Sequence, residues 1–329
     1  MDLRTTFEIK ESGDKITYDH PVLFIGSCFA GGIGRQMMDG KMPVMVNPSG
    51  TVYNPVSVAN TIDTITDGRK YAKDDLYNYN GIWLSFNHYT DFSSDNPEVT
   101  VDRINMAADR ARKFLSAARF LFVTFGTARV YRWNKTGRIV SNCHKLPAPE
   151  FTNELLTVNS VVSLWEAELQ KLGNLFPDLK VVFTISPVRH WKDGAHGNQI
   201  SISVLMLAVE ELLKHPSGPS YFPAYELIMD DLRDYRFYEE DMLHPSSLAI
   251  KYVWEKFSGC YLDSRSAELR NEIIKITRAS GHRLTSQVES KRKEFAVAML
   301  QRIRAIENKM ATIDLSEEKL YFKKWAEGI

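Results

Sequence analysis

The sequence predicts a three-layer α/β/α sandwich, with helices on both faces of a parallel sheet. Two observations carry the prediction. The runs Val22–Ile25, Phe120–Phe125 and Val181–Ile185 are almost continuously apolar, as strands buried on both faces must be. Helical patterns separate them, and strands alternating with helices of this length build parallel β-α-β units. A third observation bears on function. The runs end in small polar residues, at Ser27, Thr127 and Ser186, which a parallel sheet brings to one rim. Small polar residues also favour strand-to-loop turns, and for Ser186 that reading suffices.

The first strand opens the stretch PVLFIGSCFAGGIGRQM, residues 21–37, and breaks at Gly26 into Ser27, Cys28 and a helical pattern. The carboxyl ends of strands in open parallel sheets are where ligands bind, and unpaired helix N–H groups there favour negative charge. Ser27 is therefore a candidate nucleophile. Phosphate loops fit poorly. A Walker loop needs Gly-Lys-Ser/Thr where Gly31 and Gly32 stand without lysine, and a dinucleotide fingerprint through Gly32 and Gly34 meets Met37 instead of a third small residue. The remaining alternative is that the glycines only let the helix pack closely on the sheet.

Val44–Val46 reads as a short strand before the loop Asn47, Pro48, Ser49, Gly50, and Val56–Ile65 as a helix. Residues 66–100 read as an insertion or small hairpin, and Ile104, Ala108, Ala111 and Leu115 mark an amphipathic helix over Val101–Ala118. Residues 128–154, with Pro147 and Pro149, read as irregular; Leu155–Leu172 resumes a helical stripe. Asn198 or Ser201 is expected to cap a helix running to Lys214, and Pro223 makes residues 221–228 an edge or irregular segment. From residue 259 proline and buried strands vanish. The chain is thus expected to divide into an α/β domain, residues 1–258, and a C-terminal helical extension, residues 259–329, of two helices. The second carries Phe295, Met299, Ile303, Ile306 and Met310 on one face, which packs on its own domain, forms a homodimer or shapes the substrate mouth.

DMLHPSS, residues 241–247, places Asp241 and His244 three apart, followed by Pro245 and two serines able to cap the next helix. A serine nucleophile needs a base, and the base needs an acceptor that fixes its tautomer. Ser27, His244 and Asp241 supply those roles; taken alone, Asp-x-x-His is also an ordinary capped turn. His88, His144, His190 and His196 lack metal-site spacing, so no metal and no cofactor are expected. Arg189 and His190 are read as substrate-binding candidates or plain loop residues.

Lys plus Arg and Asp plus Glu both number 41, leaving no global field for nucleic acid or an anionic membrane. The opening residues carry no apolar signal region, and no run approaches the ~18 apolar residues of a membrane span. A cytoplasmic location is expected. Cys28, Cys143 and Cys260 are far apart and read as reduced thiols.

GSCFA at 26–30, FGTARVYR at 125–132, SPVRH at 186–190, YFPAYE at 221–226 and DMLHP at 241–245 together resemble the GSCFA domain family, itself similar to the SGNH (GDSL-like) esterases and lipases. The resemblance implies a flavodoxin-like sheet, Ser27 as nucleophile, His244 as base and Asp241 as its partner. It also implies an oxyanion hole from the N–H groups of Ser27 and Gly50 and a third donor, with Thr127 standing where the family of esterases has asparagine. Cys28 is the rival nucleophile, and the resemblance favours Ser27. The function expected is cleavage of carboxylic esters, of a small molecule or a carbohydrate carrying acetyl or another acyl group, with Tyr53, Trp83, Trp133 and Trp191 as loop rings able to stack on sugars. An acyltransferase with the same triad and a non-catalytic glycan-binding protein are the alternatives.

Overall fold

Three apolar runs pair side by side because each has no polar face to give to water. The computed structural model describes residues 5–281 and 288–327. Its central sheet contains β1 (Val22–Gly26), β2 (Val44–Val46), β5 (Phe120–Phe125), β9 (Lys180–Ile185) and β10 (Ser220–Tyr221), all parallel, in the order β10-β9-β5-β1-β2. The chain thus starts in the interior, winds to one edge, then crosses to the other. The order reverses between β1 and β5, the switch point where doubly wound sheets form a crevice at their carboxyl ends.

One face packs α2 (Pro55–Thr66), α4 (Val158–Leu175) and α5 (Gly194–Leu212) on Leu23, Ile25, Val123 and Phe183. The other packs α1 (Cys28–Asp39) and α7 (Ser247–Tyr261), where Phe24 stacks on Phe122 at 4.8 Å and Phe257 closes on both. Local signals start these helices: Asn54 accepts from Ser57 N–H ahead of Pro55, Thr157 and Ser160 cap α4 reciprocally, and Ser246 accepts from Ala249 N–H. The hairpin expected within residues 66–100 is β3 (Tyr77–Tyr79) with β4 (Ile82–Leu84), followed by α3 (Pro97–Leu115).

Three expectations need correction. Residues 128–154 are not irregular: β6 (Arg129–Trp133), β7 (Ile139–Val140) and β8 (Phe151–Leu155) form an antiparallel sheet, with Pro147 and Pro149 confined to the turn before β8. Its strands are half-exposed and polar, so they carry no apolar run. The fifth helix begins at Gly194 rather than Asn198 or Ser201, both of which are buried inside it. The C-terminal region holds three helices beyond α7: α8 (Ser264–Gly281), α9 (Glu289–Lys309) and α10 (Ser316–Glu327), with residues 282–287 and 328–329 outside the described part. Met299, Ile303 and Ile306 of the α9 stripe are buried against this chain's own core, whereas Phe295 stays 39% exposed. A single-turn helix α6 (Ala224–Glu226) leads into a π-helical turn at Leu227–Leu232.

The exit from β1 depends on glycine. Gly26 has φ +148°, and a methyl group there would meet the Thr124 carbonyl oxygen of β5 at 2.2 Å. Gly26→Ala is expected to lower stability by about 3 kcal/mol through backbone strain and forced separation of β1 from β5. The check is a fall in the urea midpoint at unchanged slope; an unmoved midpoint would contradict it.

Candidate active site

Asp241 and His244 meet because of a tight turn. Asp241 Oδ1 accepts from the N–H groups of Leu243 and His244, both at 2.9 Å, while its Oδ2 lies 2.6 Å from His244 Nδ1. Met242 between them has φ +59°, a left-handed conformation that the two Asp241 bonds help hold. Glu239 N–H closes the turn on the His244 carbonyl at 2.7 Å, and Ser246 then caps α7. These bonds, the His244 N–H first, keep the Asp241 carboxyl down at about 2. Both side chains are roughly half exposed. With Nδ1 committed to Asp241, His244 keeps Nε2 for a second partner.

Ser27 sits at the end of β1, fully buried. Its hydroxyl accepts from Phe29 N–H at 3.3 Å as the cap of α1, and its own N–H donates to the Thr124 carbonyl at 3.2 Å. Asn47 Oδ1 accepts from Gly26 N–H at 2.8 Å and braces the same turn. Among the described residues Ser27 makes no hydrogen bond to His244 in this resting arrangement. Cys28, half-buried, lines a cavity of about 510 Å³ together with His244, Thr51 and Glu239. Burial pushes its thiol pKa up, against the helix-terminal N–H groups that pull it down.

The other expected donors are already engaged. Gly50 N–H donates to the Asn47 carbonyl at 2.8 Å. The Thr127 hydroxyl shares a 2.9 Å hydrogen bond with Ser201 and accepts from Arg129 N–H at 3.0 Å, which ties it to α5 and β6. These bonds also anchor the start of β6.

Arg189 and Trp191 border a second cavity, about 500 Å³, on the other side of the turn with Tyr235, Tyr238, Asp241 and Leu243. The Arg189 guanidinium lies 5.6 Å from the Trp191 ring and its Nε donates to Asn198 Oδ1 at 2.5 Å. Trp191 is 53% exposed, so one expected stacking ring does face solvent. Trp83 and Trp133 do not lie in open loops: Trp83 is in β4, and Trp133 of β6 packs 4.5 Å from Phe86 and 5.1 Å from Tyr77. Tyr53 packs edge-on to His190 at 5.5 Å, and its carbonyl accepts from the N–H groups of Gly126 and Thr127.

His190, a substrate-binding candidate in the sequence, stands beside Ser27, a neighbour the sequence does not indicate. A methyl group on Gly126 would meet His190 Nε2 at 3.1 Å and Ser27 Cβ at 3.4 Å, so the ring covers the end of β5 beside Ser27. Arg189 N–H donates to the Leu243 carbonyl at 3.3 Å, docking this segment on the Asp241 turn. Burial keeps the His190 imidazole below its ordinary range; Asp193 opposes this and His244 adds to it. Among the described residues no three or more His, Cys, Asp or Glu side chains gather as a metal site, and no helix is long and apolar enough to cross a membrane.

A parallel sheet with helices on both faces and a switch point between β1 and β5 defines an α/β protein, with Ser27 and His190 side by side at its carboxyl rim. The GSCFA family model matches residues 21–257, and the chain belongs to the GSCFA family. Among solved structures, it is similar to a protein of Streptococcus pneumonia provisionally described as a platelet activating factor, at 14% identity over 73% of this chain and 83% of that one, TM-score 0.39. It is also similar to an acetyl xylan esterase of the rumen bacterium Butyrivibrio proteoclasticus, at 10% identity over 78% and 65%, TM-score 0.37. A family two carbohydrate esterase of Clostridium thermocellum, in complex with cellohexaose, gives 12% identity over 78% and 66%, TM-score 0.36. The chain thus spans about two thirds of the length of each of these two esterases. No curated protein matches the sequence.

Because burial raises the Cys28 thiol, little of it is thiolate at neutral pH. Its alkylation by iodoacetamide at pH 7 is expected to run several-fold slower than that of free cysteine and to rise with pH beyond the ordinary thiol range. Alkylation as fast as free cysteine at pH 7 would reveal an activated thiolate instead.

Proposed function

We propose that this chain is a serine hydrolase of carboxylic esters, with Ser27 as nucleophile, His244 as base and Asp241 as its orienting carboxylate. The observation that carries the proposal is the Asp241–His244 pair at 2.6 Å, fixed by the turn, with His244 lining the same cavity as Cys28, the neighbour of Ser27. A carboxylate on Nδ1 selects the tautomer whose Nε2 accepts a proton.

In the proposed reaction the Ser27 hydroxyl leaves Phe29 N–H by rotating about one side-chain bond and presents its proton to His244 Nε2. Its oxygen attacks the ester carbonyl carbon, and the carbonyl π electrons move to oxygen. On collapse the alcohol departs with the proton from His244, leaving an acyl group on Ser27. Water then attacks that carbonyl, gives a proton to His244 and releases the acid, and Ser27 recovers its hydrogen. The half-exposed Asp241–His244 pair leaves room for the water of the second step. For the acyl carrier we propose a carbohydrate, supported by Trp191 with Arg189 across it on the cavity beside Asp241, a flat apolar surface with a polar edge.

Complete burial of the Ser27 hydroxyl supports a second reading, a non-catalytic glycan-binding protein. A fluorophosphonate probe separates the two. Labelling is expected in wild type and in Cys28→Ala and lost in Ser27→Ala, with kcat falling by about 10³-fold or more in Ser27→Ala and His244→Ala. An unlabelled wild type would favour the binding protein, labelling lost only in Cys28→Ala would move the nucleophile, and acyl release only when an acceptor sugar is added would make the reaction a transfer.

A further inference from the structure

We infer that His190 supplies an oxyanion donor through Nε2–H; the inference rests on Ser27 being the nucleophile. An acyl-transfer site in this fold needs several fixed donors around the oxygen that becomes negative. The donors expected from the sequence are each committed in the resting protein. Ser27 N–H is bonded to the Thr124 carbonyl, Gly50 N–H to the Asn47 carbonyl, and the Thr127 hydroxyl to Ser201 and Arg129 N–H.

His190 Nε2 is in the opposite condition. It is closed to solvent and has no hydrogen-bond partner among the described residues. A buried polar nitrogen left unpaired is unfavourable, which marks it as a group awaiting a partner. Its position is specific. Gly126, lacking a side chain, leaves space at the end of β5, and Nε2 fills that space in contact with the same point that Ser27 Cβ touches. The tetrahedral oxygen would stand two bonds from Ser27 Oγ, and its donors about 2.7–3.1 Å further on. A group packed on the same point as Ser27 Cβ is within reach of that shell.

The ring is also held as a donor must be. Tyr53 meets it edge-on at 80°, and the same residue's carbonyl ties down Gly126 and Thr127. Arg189 N–H fastens the segment to Leu243, so His190 and the Asp241–His244 turn keep their relative position. Burial disfavours the imidazolium, leaving a neutral ring with one N–H. The low dielectric around it strengthens a bond to an anion more than to the neutral ground-state carbonyl, and that difference accelerates the reaction.

Hydrolysis of p-nitrophenyl acetate by wild type, His190→Phe and His190→Gln tests this, with urea midpoints recorded for all three. Phenylalanine keeps the ring without the donor, and glutamine places an amide N–H near the position of Nε2. The expected result is a fall in kcat of about 10²-fold in His190→Phe, with KM within about twofold of wild type, and recovery of most of that loss in His190→Gln. Wild-type kcat in a folded His190→Phe, a change confined to KM, or equal losses in both variants would overturn the inference and leave the nucleophile untouched. Wild-type protein that neither turns over the ester nor takes a fluorophosphonate on Ser27 would overturn the esterase reading, and this inference with it.

Discussion

The parallel pairing of β1 with β5 is the constraint on which the rest of the molecule depends. It runs from Val22 opposite Phe120 to Gly26 opposite Thr124, in register along five residues. At its last rung the two backbones approach so closely that only glycine fits. Because the sheet order reverses at this pair, the chain beyond it diverges: one strand leads into α1 and the other into β6. The crevice, the start of α1 at Ser27 and the space at Gly126 that the His190 ring covers all follow from that divergence.

The C-terminal helices extend the same constraint from behind. Arg270 of α8 is buried, lies 4.3 Å from the Trp254 ring and donates twice to the Gln36 carbonyl near the end of α1, at 3.1 and 2.7 Å. A guanidinium at that end satisfies a carbonyl with no helical partner and complements the helix dipole. Burial lowers the Arg270 pKa, with Tyr18 and Asp39 opposing, yet an arginine keeps its charge under such a shift. The helix that begins at Ser27 is therefore fixed by β1 at one end and by α8 near the other. The helical extension is joined to the site's own scaffold.

What the sequence disclosed follows from range and burial. Strands β1, β5 and β9 were legible because burial on both faces demands continuous apolar runs, and the Asp241–His244 contact because both partners lie within one turn. Strands β6 to β8 were hidden because their half-exposed faces carry Arg129, Arg132 and Glu154, whose side chains pair across strands instead of entering a core. The meeting of His190 with Ser27 was hidden for a different reason. It joins residues far apart in the chain through the absence of a side chain at Gly126, and an empty volume leaves no mark on periodicity. The engagement of Thr127 with Ser201 is likewise a contact between the β5–β6 turn and α5 that neither segment announces alone.

The buried, capping hydroxyl of Ser27 is the feature hardest to reconcile with a nucleophile, and magnitudes decide how much weight it has. A helix-capping bond is worth about 1 kcal/mol, so releasing Phe29 N–H costs a factor of roughly five in the population of the attacking rotamer. A working triad contributes several powers of ten. The capped state is thus a small correction to the proposed chemistry. For Cys28 the balance runs the other way. It faces the cavity with His244, but burial raises the pKa that must fall before sulfur can act, and one α1 N–H terminus does not overcome that. Of the two adjacent candidates, the hydroxyl is held only by a weak capping bond, whereas the thiol would need a different electrostatic environment.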